Sequence, residues 1–173
     1  MIANTELLAS LEVLDQLFTN AASTRDALMH SKHALLELCG WIEEAEDYIV
    51  HCCASRLADH ADRTWIESKV KGNSGLHFEN NFKQLLALVI GISKYRSVID
   101  HLEARGKKFC GLISKINDFK KPRDAHAHTH FEEFRASNAT LTMNAPSLLK
   151  KHAIDIYMGF SELESNLRKR RLA

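Results

Sequence analysis

The stretch KKFCGLISKINDFKKPRDAHAHTH, residues 107–130, sets Phe109, Leu112, Ile113, Ile116 and Phe119 at helical intervals. The same spacing continues through Arg123, Ala127 and Phe131, so a polar segment rides on an apolar helix. Between Lys120 and His130, eleven positions hold three His, two Lys, one Arg and one Asp. Pro122 stands in the middle of it. A proline inside a helix removes a hydrogen bond and clashes with the preceding turn, at about 3 kcal/mol. Pro122 therefore either kinks this helix or opens a fresh one, in which case it suits the first position and the new N-terminal amides add to an anion site.

Working outward, the rest of the chain repeats the helical pattern. Leu7, Leu8, Leu11, Leu14, Leu17 and Phe18 recur at helical spacing from Asn4 to Asn20, with Asn4 or Thr5 as cap. A second helix, longer than about 30 residues, begins at Ser23 or Thr24 and carries Leu28, Leu35, Cys39, Ile42, Ile49, Cys52, Cys53 and Leu57 on one side. The pattern loosens from His60 to His77, where Trp65, Ile66 and Val70 continue a helix until Lys71-Gly72-Asn73-Ser74-Gly75 breaks it. A third helix is expected from His77 to Arg105 with Phe78, Phe82, Leu85, Leu86, Val89, Ile92 and Ile99 as its stripe, and Gly106 as its stop. Residues from Phe131 to Ala145 read as a loop. Asn144-Ala145-Pro146 opens a last helix with Leu149, Ala153, Ile156, Phe160, Leu163 and Leu167 in its core, closed by Arg168-Lys169-Arg170-Arg171. Those four cations read as compensation of the helix dipole, with RNA contact as the lesser alternative.

Composition agrees. Only two Pro and seven Gly in 173 residues, with frequent Leu, Ala, Glu and Lys, favour an all-α fold, expected as one domain over residues 1–173 with about five helices. The 23 basic and 22 acidic residues nearly cancel, so any affinity for a polyanion is local. Cys39, Cys52, Cys53 and Cys110 lie within helical patterns without a Cys-x-x-Cys pair, which reads as reduced core thiols rather than a zinc site. With no charged-then-apolar leader and no apolar run of the ~18 residues a membrane span needs, the chain is read as cytoplasmic and without a membrane partner.

An Arg followed by Asp, with a His five positions after the Arg, resembles the motif of the HEPN superfamily, small helical proteins many of which are metal-independent RNA endonucleases. Arg123, Asp124 and His128 are the matching residues. The stretch Leu36-Glu37-Leu38-Cys39-Gly40 with Trp41-Ile42-Glu43-Glu44 resembles the first block of the RiboL-PSP type, and Phe82 to Ile92 its second. Helices, a basic segment, a loop and a final helix follow the order of a HEPN domain across nearly the whole chain. Two departures stand out: Pro122 directly before the Arg, and a denser His cluster than the motif requires.

The resemblance implies RNA cleavage without a cofactor, and the residue chemistry suits it. The 2′-hydroxyl must lose a proton as it attacks phosphorus, and an imidazole near its ordinary pKa moves that proton at neutral pH. A guanidinium offers a planar fork of donors to the phosphorane oxygens. His128 is thus the general acid or base and Arg123 the phosphate ligand. Asp124, four before His128, is placed to orient the imidazole. Lys120, Lys121, His126 and His130 are candidate substrate contacts. On an ideal helix Arg123 and His128 lie about 140° apart, so a homodimer that merges two copies of the motif is expected.

Other readings remain. His126 and His130, four apart, form a possible metal pair whose third ligand is Asp124, Glu132 or Glu133. Glu43, Glu44, Glu46 and Asp47 read as a solvated face rather than a catalytic set. At the level of function, a toxin or antiviral ribonuclease competes with a non-catalytic nucleotide- or RNA-binding module and with an antitoxin-like scaffold that meets a defence-system protein.

Overall fold

The computed structural model describes residues 2–73, 75–105, 107–127 and 144–173. Within them the chain is all-helical. Its elements are α1 (Thr5–Thr19), α2 (Thr24–Ala54), α3 (His60–Lys71), a π-helical turn (Phe78–Phe82) leading into α4 (Lys83–Ile90), α5 (Ile92–Arg105), α6 (Lys107–Ala127) and α7 (Pro146–Lys169). The all-α expectation holds, but the described residues form seven α-helices where about five were expected. Gly106 and the segment after Ala127, including most of the expected loop, lie outside the described residues.

Two features raise the count. Residues after Ser55 form a separate helix, α3, whose first turn is capped by the Asp59 carboxylate accepting from Ala61 N–H at 2.7 Å. The expected third helix is divided at Gly91, whose φ of +86° is open to glycine and strained for other residues. The turn changes the buried face. Ile92, expected on the stripe, is 67% exposed, and Tyr95, Val98 and Leu102 are buried on α5 instead.

Helix α2 is the central element. Ser23 caps it by accepting from Asp26 N–H at 3.1 Å, and its 31 residues touch α1, α3, α4, α6 and α7. Helix α7 runs parallel to it, because Ser31 donates to the Asn144 carbonyl near one end and Tyr48 pairs with Glu164 toward the other. Helix α6 runs antiparallel to α7. Phe109 N–H donates to Glu162 at 3.0 Å, Lys115 pairs with Asp155, and the Phe119 ring meets His152 at 5.6 Å. At Gly159 the two backbones come so close that an added Cβ would lie 2.6 Å from the Leu112 Cβ.

The core is one apolar cluster drawing on every helix. An aromatic chain crosses it, from Phe109 to Phe78, Phe82, Phe160 and Trp41, each step edge-to-face with centroids 5.5 to 6.1 Å apart. Such geometry adds about 0.5–1.5 kcal/mol per pair beyond burial. Trp41 also donates its indole N–H to the Ala3 carbonyl, pinning the chain start over α2. Helix α7 begins with Pro146 as expected, but its cap comes from α1, where Asp15 accepts from Ser147 N–H at 2.8 Å.

All four cysteines are free thiols. Cys39 and Cys53 are buried and Cys52 is half-buried, while Cys110 is exposed and so departs from the core reading. No helix among the described residues is long and apolar enough to cross a membrane.

Candidate active site

The antiparallel pairing of α2 and α6 brings residues far apart in sequence face to face. Helix α6 is continuous from Lys107 to Ala127 with Pro122 inside it, so no new helix starts at the proline. Pro122 has no N–H to give, which leaves the Asp118 carbonyl without its usual helical donor. Arg123, one residue on, points across to α2. Its Nη2 donates to Glu43 Oε1 at 3.1 Å and its Nη1 to Asp124 Oδ1 at 3.2 Å. The side chain keeps 29% of its surface exposed.

Asp124 is shared between two cations. Lys120 Nζ donates to its Oδ2 at 2.7 Å while Arg123 holds Oδ1. Burial alone raises the Asp124 carboxyl, but these two hydrogen bonds and charges outweigh burial and hold it below its ordinary value. The expected partner of Asp124, His128, lies outside the described residues, as does His130. Lys121 is exposed.

His126 differs from expectation. Expected as a substrate contact or as half of a metal pair, it is only 3% exposed, and burial together with the Lys32 charge pushes its imidazole below the ordinary value, toward the neutral form. The reason is angular: three positions after Arg123 on α6, it falls on the side packed against α2. Among the described residues no group of three His, Cys, Asp or Glu side chains is arranged to hold a metal ion, and His130, Glu132 and Glu133 lie outside them.

The acidic run on α2 is where reading the sequence fell short. Only Glu44 behaves as a solvated carboxylate. Glu43 grips Arg123. Glu46 is 3% exposed, its Oε1 has no hydrogen-bond partner among the described residues, and burial followed by the Asp47 and Glu43 charges pushes its carboxyl up to about 8. At neutral pH it is mostly protonated. Burial also raises Asp47, opposed by His51 and reinforced by Glu43 and Glu44. Beneath them the Cys39 thiol is pushed up to about 12 by burial, with Arg123 opposing, and is not a nucleophile. A signal for Glu46 was present: Cys39, Ile42, Glu46, Ile49 and Cys53 follow the 3-4 spacing of a buried stripe.

The charges in this cluster balance. Lys120 and Arg123 face Glu43 and Asp124, so the site is an ordered network of neutral net charge rather than a vacant cationic hole. Comparison with models of protein families, with curated proteins and with solved structures finds no match to this chain.

Proposed function

We propose that the chain is a metal-independent endoribonuclease of HEPN type, of the RiboL-PSP branch, acting as a toxin or antiviral effector in the cytoplasm. The observation that carries this reading is Arg123, held by Glu43 and Asp124 while its side chain stays 29% exposed, five positions before His128 in the sequence. A guanidinium fixed in advance loses little entropy when it takes phosphate oxygens. In the step proposed, the 2′-oxygen bonds to phosphorus and the 5′-oxygen leaves. An imidazole accepts the 2′-hydroxyl proton and, as imidazolium, gives a proton to the leaving 5′-oxygen, while Arg123 stabilises the added charge on the non-bridging oxygens. The products are a 2′,3′-cyclic phosphate and a 5′-hydroxyl.

Because Arg123 is already matched by two carboxylates, a phosphate gains this ligand by displacing one of them. That favours Asp124 as the group that swings aside, since Lys120 remains to hold it. The same balance of charge supports a second reading, a non-catalytic module in which the Arg123–Glu43 pair clamps α6 to α2. Incubation of the purified protein with single-stranded RNA and a chelator separates them. Cleavage to cyclic-phosphate ends, absent in folded His128→Ala protein, is the expected result; intact RNA leaves the clamp. Activity that disappears in chelator and returns with Zn²⁺ or Mn²⁺ would instead favour a metal site at His126 and His130.

A further inference from the structure

Lys120 and Arg123 pair with carboxylates, as do Lys83 with Glu79, Lys115 with Asp155, Lys150 with Glu12 and Arg168 with Glu164. A cluster of cations along α5 and at the end of α7 does not. Along α5, Ile92, Ser93, Arg96, Ser97 and Asp100 floor a shallow exposed depression. Arg170 reaches it from the end of α7, its Nη1 donating to Ser97 Oγ at 2.9 Å. Lys94, Lys169 and Arg171 stand on the same two segments. None of Lys94, Arg96, Lys169, Arg170 and Arg171 pairs with a carboxylate among the described residues.

Capping of α7 accounts for Lys169 in its last turn but not for Arg170 and Arg171. Arg168 turns back to Glu164 and Tyr48. Arg170 and Arg171 lie beyond the helix end, and Arg170 extends sideways onto α5. The backbone there is built to hold them. Arg171 adopts φ +59°, Leu172 N–H donates to the Leu167 carbonyl, and Arg171 N–H donates to the Arg168 carbonyl. This is a Schellman ending with arginine where glycine is usual. Ala173 is buried and its carbonyl accepts from Arg56 at 3.1 Å, which ties the tail to the turn that follows α2. The cations are therefore presented from a fixed surface.

We infer that this depression binds the phosphodiester backbone of single-stranded RNA, with Arg96 and Arg170 as phosphate ligands, Ser93 and Ser97 as hydroxyl donors, and exposed Ile92 as an apolar shelf for a base. Asp100 is the one carboxylate in the floor and repels phosphate from that end. The choice of RNA as the polyanion rests on the function proposed for Arg123; the surface itself does not. The two sites are far apart. Continuing the α6–α7 pairing that sets Phe119 against His152, Arg123 lies level with the start of α7. Arg170 is then roughly 30 Å further along at 1.5 Å per residue. Short substrates reach one site only.

The test uses a fluorescent single-stranded RNA oligonucleotide long enough to span both sites, bound to full-length His128→Ala protein, with and without Arg96→Gln and Arg170→Gln together. The pair is expected to weaken binding about tenfold and to lower the slope of log affinity against log salt by about 1.4, the loss of two phosphate contacts. In the chain with His128 intact, the same pair should leave cleavage of a dinucleotide unchanged and slow cleavage of the long RNA. Unchanged affinity for long RNA overturns the assignment even where cleavage is observed. Binding that depends on Arg96 and Arg170 without any cleavage leaves this surface standing and overturns the nuclease reading. Loss of binding to anionic phospholipid vesicles, with RNA binding unaffected, overturns RNA as the occupant.

Discussion

Arg123 on α6 and Glu43 on α2, 80 positions apart in sequence, join through a 3.1 Å hydrogen-bonded ion pair at the edge of the core. Both side chains remain about one-third exposed, so water screens the pair and its contribution to stability is at most about 1 kcal/mol. Its larger role under the proposed mechanism is to aim the guanidinium. Glu43→Gln should leave thermal unfolding within a few degrees of the parent chain and lower kcat for RNA cleavage about tenfold, with KM little changed. In the Arg123→Ala background the same substitution should cost nothing further. Equal kcat in Glu43→Gln and the parent chain would remove the positioning role.

Much of the fold was legible because burial imposes a period on sequence. On α7 every residue expected in the core, Leu149, Ala153, Ile156, Phe160, Leu163 and Leu167, is fully buried. The break at Gly91 was not, since a lone glycine inside an apolar run fits both a continuous helix and a sharp turn. Glu43 was illegible for a different reason. A carboxylate that faces water and one that faces an arginine from another helix produce the same local pattern, and the pairing of α2 with α6 is a tertiary fact. His126 failed likewise, because a histidine beside lysines reads as surface until the packing direction of its helix is known.

Glu46 governs a pH dependence. Its folded pKa of about 8 lies above the ordinary carboxylate value, so the folded state holds a proton that the unfolded state releases. Stability from this group is complete below the unfolded value and is lost as pH rises through about 8, with a slope of up to ~1.4 kcal/mol per pH unit. His126 and His152, both lowered by burial, act oppositely, but their influence ends near the ordinary histidine value. Between that value and pH 8, melting temperature should fall with rising pH. Glu46→Gln should flatten this fall and raise the melting temperature at pH 8; a Glu46→Gln chain with the parent's slope would refute the assignment.

Two glycines should respond in opposite directions. Gly159→Ala sets a methyl 2.6 Å from the Leu112 Cβ and 3.1 Å from the Lys108 carbonyl, so α6 and α7 must part. Overpacking of this kind costs about 1–3 kcal/mol. Gly40→Ala, inside α2, meets nothing within 4 Å and should stabilise by about 0.8–1 kcal/mol through helix propensity. Chemical denaturation of both variants checks the pair, and a stabilised Gly159→Ala chain would contradict the close approach.

The last prediction concerns assembly. Arg123 is turned toward Glu43 and α2, and the five-position spacing from Arg123 to His128 corresponds to about 140° around the axis of an ideal helix. Under the proposed mechanism, that spacing would set the phosphate ligand and the proton-transfer group of one chain on different sides of an ideal helix. A two-fold axis beside the motif would bring the His128 of one copy toward the Arg123 of the other, giving a shared cleft with two of each group. Arg123→Ala and His128→Ala chains, each expected to lose at least about 100-fold in cleavage, should partly recover activity when mixed, because a heterodimer keeps one intact Arg123 and one intact His128. Sedimentation should show a dimer for the parent chain and for both variants. A fully active monomer, or folded variants that form mixed dimers without regaining any cleavage, would rule out the composite site.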